Sequence, residues 1–175
     1  MLLTLALLII LVALDRASKV LLAAALANGE SVTLIKGVLG LELLEGGNTG
    51  AAFGILQGGT GFLIAITVAL IVALMYLLFC KRFASRWMYF SALLITAGGA
   101  GNLYDRVVYG SVTDFLKFLF MDFPVFNLAD CYVTVGAAIM VCYLIFAGSN
   151  APIFAAADKK EAPPAEKSAD ESGDA

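Results

Sequence analysis

Residues 61–79 read GFLIAITVALIVALMYLLF, nineteen positions without one charged or amide side chain. A bilayer's hydrocarbon core is crossed by a helix of about 20 mostly apolar residues. This stretch meets that requirement and offers no polar face with which to sit on a soluble core. Working outward from it, three further segments have comparable length and apolar content: 2–27, 87–104 and 126–146. The first is interrupted by Asp15, Arg16 and Lys19, and the last two carry polar residues near one end. Composition agrees, since the chain is 61% hydrophobic and only 14% charged, against about half and a quarter in soluble domains. The expected fold is therefore an α-helical integral membrane protein with four transmembrane helices.

The linker after the charge-free span holds Lys81, Arg82 and Arg86. Short basic linkers stay in the cytoplasm. Both termini are then cytoplasmic, and segments 28–60 and 105–125 face outward. Between residues 31 and 44, β-branched residues mix with Lys36, Glu42 and glycines, which reads as a small sheet or a pair of short strands. Gly46-Gly47-Asn48-Thr49-Gly50 is a turn signal, and residues 51–56 read as a short helix or strand near the interface. Residues 1–150 form one membrane domain. Residues 151–175 are a charged, Pro- and Ala-rich tail, expected to be disordered. That tail carries three lysines and six acids, which accounts for the whole net charge of -3. The neutral remainder gives no case for a nucleic-acid partner. A rival reading of 2–27 as a cleaved leader is disfavoured, because no Lys or Arg precedes its apolar run.

The chain has no histidine. That removes Ser-His-Asp and Cys-His machinery and most catalytic zinc sites. Cys80, Cys131 and Cys142 are widely spaced in apolar runs; they fit neither a disulfide framework nor a metal knuckle. Neither a metal nor another cofactor is expected. Acid–base chemistry falls to carboxylates, and two carboxyls held close together share one proton, supplying an acid and a base at once. The candidates are Asp15, Asp105, Asp114, Asp122 and Asp130. Charges inside apolar spans are functional hypotheses by default, although Asn127 and Asp130 also suit a plain helix cap. Asp15 has Lys19 four residues on, the favourable order for a helical ion pair. Asp105 has Arg106 beside it. Asp114 and Asp130 lack such neighbours, apart from Lys117 if its stretch is helical, and make the better pair. Asp122 stands as a decoy. A Ser-Lys hydrolase using Lys19 with Ser91 or Ser111 is the rival chemistry, weakened by Asp15, which keeps Lys19 protonated. A transporter subunit is the rival class, weakened by the gathering of charge at one membrane face and the lack of an inverted repeat.

Five blocks, in order, resemble the signal peptidase II (lipoprotein signal peptidase) family over roughly residues 11–136. They are Asp15-Arg16-Ala17-Ser18-Lys19, Asn48-Thr49-Gly50-Ala51-Ala52-Phe53-Gly54, Gly98-Gly99-Ala100-Gly101-Asn102-Leu103-Tyr104-Asp105-Arg106, Val112-Thr113-Asp114-Phe115 and Phe126-Asn127-Leu128-Ala129-Asp130. Arg16 departs from the family's frequent glutamine and flanks the Asp15–Lys19 pair without forming it. The resemblance implies an aspartic endopeptidase of the bacterial plasma (inner) membrane. Such an enzyme removes signal peptides from prolipoproteins just before a diacylglyceryl-modified cysteine, with the site at the extracytoplasmic face. It implies Asp114 and Asp130 as the catalytic dyad. Asn48, Asn102, Arg106 and Asn127 would hold substrate backbone and oxyanion, and Asp15, Lys19 and Asp105 would order the site. It further implies a small outer sheet with a flap near the Asn48 loop, lipid-modified prolipoproteins and membrane lipids as partners, and a monomer.

Overall fold

The computed structural model describes residues 1–44, 46–50, 59–80 and 82–147. The expected flap around 51–56 and the expected tail 151–175 lie outside the described residues. Four helices carry the architecture: α1 (Leu2–Ala25), α2 (Thr60–Phe79), α3 (Arg86–Tyr109) and α4 (Leu128–Phe146). Of these, α2 and α4 are long and apolar enough to cross a membrane by length and composition. The other two are 24 residues each, about 36 Å at 1.5 Å per residue, but each carries three charged side chains. In α1 Asp15, Arg16 and Lys19 interrupt the apolar run, whereas α3 is diluted by its glycines, Ser91 and Asn102.

Helix α3 is the central element and packs against the other three. Its middle is rich in small residues, which let neighbouring backbones come close. A Cβ on Gly98 would overlap the Ala129 carbonyl of α4, and one on Gly101 would overlap the Asp15 carboxylate of α1. Leu8, Leu74, Leu78, Ala92, Leu93 and Ala97 form the buried apolar cluster where α1, α2 and α3 meet. Large apolar side chains such as Leu14, Leu21, Ile66, Val72, Val141 and Ile145 point outward, the reverse of a water-soluble surface patch.

Helix α3 begins at the cap Ser85, whose hydroxyl accepts from Trp87 N at 3.2 Å. It ends where Gly110 turns left-handed at φ 76°, a conformation glycine takes without steric cost. The helix therefore runs five residues beyond the expected end at 104, so Asp105 and Arg106 lie within it rather than in a following loop.

Beyond the helix ends lies a three-stranded antiparallel sheet, order β1 (Ser31–Ile35), β2 (Leu39–Glu42) and β3 (Leu116–Phe118). The expected pair is the β1–β2 hairpin. The third strand was not expected, because three residues, Leu-Lys-Phe, carry too little pattern to register as a strand. It forms because β2 offers it an edge, with Gly40 opposite Lys117. Lys117 is thus on a strand and not a helix, and it pairs with Glu42 at 2.8 Å, away from Asp114. Isolated bridges join Asn48 to Val112 and Leu116 to Phe126. Together with the sheet they fold the 110–127 connection back over the ends of α3 and α4.

Candidate active site

Two backbone ties set Asp114. Leu44 N donates to its carbonyl at 3.1 Å, and Glu42 N donates to the next carbonyl, Phe115 O, at 3.0 Å. The side chain is then directed inward and is 1% exposed. Asn127 Nδ2 donates to Asp114 Oδ1 at 2.6 Å, and Asn48 Nδ2 donates to Oδ2 at 3.0 Å. Asn48 is held by its own mutual backbone bonds with Val112, both 2.9 Å, and its Oδ1 accepts from Gly50 N, a local turn that asparagine favours.

Asp130 is set by a capping box. Asn127 is the N-cap of α4, its Oδ1 accepting from Asp130 N at 3.0 Å while Asp130 Oδ2 accepts from Asn127 N at 3.1 Å. Reciprocal bonds of this kind satisfy helix-end donors that have no partner inside the helix. The plain cap reading is therefore correct as local structure. It does not exhaust these residues, because Asn127 also reaches Asp114, and Asp130 Oδ1 accepts from Asn102 Nδ2 at 2.8 Å. Asn127 Nδ2 further donates to Asn102 Oδ1 at 3.1 Å, so the two acids sit on one connected network.

Lys19 anchors that network from α1. Its ammonium donates to Asn102 Oδ1 at 2.8 Å and forms ion pairs with Asp105 Oδ2 at 3.0 Å and Asp15 Oδ2 at 3.1 Å. Lysine this buried, at 1% exposure, needs such pairing to remain charged. Asp15 Oδ1 accepts from Ala129 N at 2.9 Å, tying α1 to the first turn of α4. The expected Asp15–Lys19 pair is present. Lys19 is occupied by Asn102 and two acids, and Ser91 donates to Gly136 O at 2.7 Å, which weighs against the Ser91 form of the Ser-Lys alternative.

One expected pairing is corrected. Asp105 does not pair with Arg106. Adjacent residues on a helix point about 100° apart, and Asp105 turns toward α1, where Arg16 and Lys19 both meet it. Arg106 instead donates to Gly50 O at 2.8 Å, leaving its buried Nε without an acceptor. Arg16 is likewise no bystander. It forms an ion pair with Asp105 and lies over the Tyr104 ring, 4.5 Å from its centroid. An arginine within an apolar span was a signal equal to Asp15, and the sequence reading passed over it. Thr113, whose N–H donates to Asp105 Oδ2 at 3.2 Å, had no signal in the sequence. Asp122 is exposed, as the decoy reading expects.

Burial pushes the Asp114 carboxyl up to about 6, and the neighbouring Asp130 charge adds to this. The Asn127 and Asn48 donors and the Lys19 cation act the other way. Desolvation and a like charge disfavour the ionised form, while donors and an opposite charge favour it.

The family described as signal peptidase (SPase) II matches residues 7–146. Lipoprotein signal peptidases from two Streptococcus pyogenes strains are each 42% identical over 137 residues, 78% of this chain and 89% of theirs. Among solved structures, a bacterial membrane enzyme determined by the in meso method at 2.3 Å resolution aligns with TM-score 0.76 and 32% identity. It covers 84% of this chain and 90% of that one. A second, determined the same way at 1.9 Å, aligns with TM-score 0.72 and 31% identity, covering 83% and 94%. The matched stretch contains every residue of the network built from Asp15 to Asp130, and on this evidence the chain belongs to the signal peptidase II family.

Proposed function

We propose that the chain is an aspartic endopeptidase that removes signal peptides from bacterial prolipoproteins, cutting before the lipid-modified cysteine, with Asp114 and Asp130 as its catalytic dyad. One observation carries the reading: Asn127 donates to Asp114 through Nδ2 and clasps Asp130 through its cap. A buried acid and a partly buried one so joined, the first with its carboxyl raised to about 6, suit a pair that shares one proton. The ionised member takes a proton from water as that water's oxygen bonds to the scissile carbonyl carbon. The protonated member gives its proton to the carbonyl oxygen. The tetrahedral intermediate then collapses: one of its hydroxyls returns a proton to the acid that gave it, the C–N bond breaks, and the departing amine takes up the proton that water supplied.

Arg106 and the amides divide the remaining work. Arg106 Nε, buried and open, has capacity for a substrate carbonyl, and Asn48 lies beside it through Gly50. Asn102 and Asn127 steady both acids and polarise the reacting oxygen. Asp15, Lys19 and Asp105 hold α1, α3 and α4 in register around them. In this reading all four helices span the bacterial plasma membrane, both termini are cytoplasmic, and the dyad opens at the extracytoplasmic face. A lipidated cysteine is held at that depth by its own acyl chains, so substrate reaches the dyad without leaving the bilayer surface. The enzyme works as a monomer on lipid-modified prolipoproteins, without metal or cofactor.

The test is cleavage of a diacylglyceryl-modified precursor by the purified chain in lipid. Asp114→Asn and Asp130→Asn are each expected to abolish it. Normal cleavage by either variant rejects the dyad.

A further inference from the structure

We infer that the groove between the start of α3 and the end of α4 is a binding site for one anionic phospholipid, with an acyl chain in the groove and the headgroup against Arg86.

The groove follows from how the two helices cross. A Cβ on Gly98 or on Gly136 would overlap the opposite helix, so the backbones meet between those levels. Ser91 Oγ, donating to Gly136 O at 2.7 Å, belongs to the same contact. Trp87 lies one turn before Ser91, and from there toward the end of α4 the helices leave a groove of about 590 Å³. Its walls are chiefly Trp87 of α3 and one stripe of α4, formed by Val135, Ala138, Ile139, Cys142 and Phe146. Spacings of three and four keep that stripe on a single helix face. The size falls in the range of small-molecule sites, and the lining is apolar as in such sites. Trp87 is half exposed and Phe146 largely so. The described residues therefore leave the groove open on its outer side.

Charge decides the occupant. Arg86 opens α3, and its guanidinium stands 5.4 Å from the Trp87 ring centroid, at the rim of the groove. Arg82 precedes it in the linker, and the sequence holds no acid between Glu45 and Asp105. Among the described residues Arg86 has no ion pair. A cation beside an apolar slot at the membrane surface matches a phosphate headgroup joined to an acyl chain, and basic side chains near that surface favour anionic lipid. The indole suits the same level, where headgroup meets chain. A zwitterionic lipid gains less, because its own cation faces Arg86. A signal-peptide helix is a poorer occupant, since its cytoplasmic end is basic and would meet like charge. The inference uses the membrane orientation proposed above. It is independent of the dyad, since Asp130 lies in the first turn of α4, at the opposite end.

Trp87 is the chain's only tryptophan, so its fluorescence reports on this groove alone. The full chain is reconstituted in bilayers of phosphatidylcholine brominated on its acyl chains, which quench tryptophan on contact. Unbrominated phosphatidylglycerol or unbrominated phosphatidylcholine is then mixed in. Phosphatidylglycerol is expected to restore fluorescence at an about fivefold lower mole fraction than phosphatidylcholine, the preference that one basic side chain near the surface confers. Arg86→Gln is expected to bring the two lipids level. Ala138→Phe, which fills the groove and keeps Arg86, is expected to do the same. Equal displacement by both lipids in the wild type overturns the inference, as does a preference that persists in Arg86→Gln. A preference that survives Ala138→Phe puts the lipid on the basic surface and not in the groove, and overturns it too. Trp87 that stays unquenched at every composition means that residues 148–175 or a second copy cover the groove. Fluorescence restored by a precursor peptide in bilayers without phosphatidylglycerol assigns the groove to a signal-peptide helix. Either of these results also overturns the inference.

Discussion

Asn127 Nδ2 lies 2.6 Å from Asp114 Oδ1, although the two residues belong to different elements and only one of them is in a helix cap. The same side chain caps α4. Capping and bridging can be separated by substitution. Serine caps as well as asparagine but is too short to reach Asp114. Asn127→Ser is therefore expected to stay within about 1 kcal/mol of wild-type stability while losing at least about tenfold in kcat. Thermal unfolding beside steady-state kinetics checks this. Full activity in Asn127→Ser would mean that the bridge to Asp114 is incidental.

Asp122 provides the control for the dyad. It is exposed and stands in the same connection as Asp114. Asp122→Asn is expected to cleave precursor at the wild-type rate, within about twofold, as surface changes away from special features do. Comparable losses in Asp122→Asn and Asp114→Asn would show that cleavage answers to the charge of the whole connection and not to a particular carboxyl.

The alkaline limb of the pH profile follows from the sign of the Asp114 shift. Its carboxyl is raised from 3.8 to about 6, first by burial and then by the Asp130 charge. Beside an ionised Asp130, Asp114 is protonated below about pH 6 and ionised above it, so the pair loses its shared proton as pH rises. kcat/KM should therefore fall above a limb near pH 6 that belongs to the dyad as a unit. Lys117→Met is expected to leave that limb in place, because Lys117 is partly exposed and pairs with Glu42. A profile that rises through pH 6, or a limb that moves with Lys117, contradicts this account.

Two neighbouring glycines should respond in opposite ways to alanine. A Cβ at Gly101 overlaps the Asp15 carboxylate, whereas at Gly99 it meets Ile71 Cγ1 at 3.5 Å, an ordinary contact. Gly101→Ala is expected to cost about 1–3 kcal/mol through overpacking, and to impair cleavage by pushing α1 from α3. Gly99→Ala is expected to be neutral or to stabilise by up to about 1 kcal/mol through helix propensity. Unfolding midpoints of the two variants in detergent decide the matter. Equal tolerance would show that Asp15 is not held against α3.

The sequence by itself determined the helices and marked most of the polar groups that meet between them. Apolar length marked all four helices to within a few residues, because the pattern that makes them is local and continuous. The Asp15–Lys19 pair was also legible, being fixed by helical spacing alone. The residues brought together, Asp15, Lys19, Asn48, Asn102, Asp105, Arg106, Asp114, Asn127 and Asp130, were all marked as polar groups out of place or as matches to a known pattern.

Tertiary structure decided who meets whom. Asp105 was assigned to its neighbour Arg106, yet it binds Arg16 and Lys19 across a helix contact, 89 and 86 residues away in the chain. Strand β3 was invisible because its partner β2 is more than seventy residues earlier. The Asn127–Asp114 and Thr113–Asp105 bonds both come from that folded-back connection. A buried charge takes whichever opposite charge packing brings within reach, and sequence proximity has no vote once helices cross through small residues such as Gly98 and Gly101.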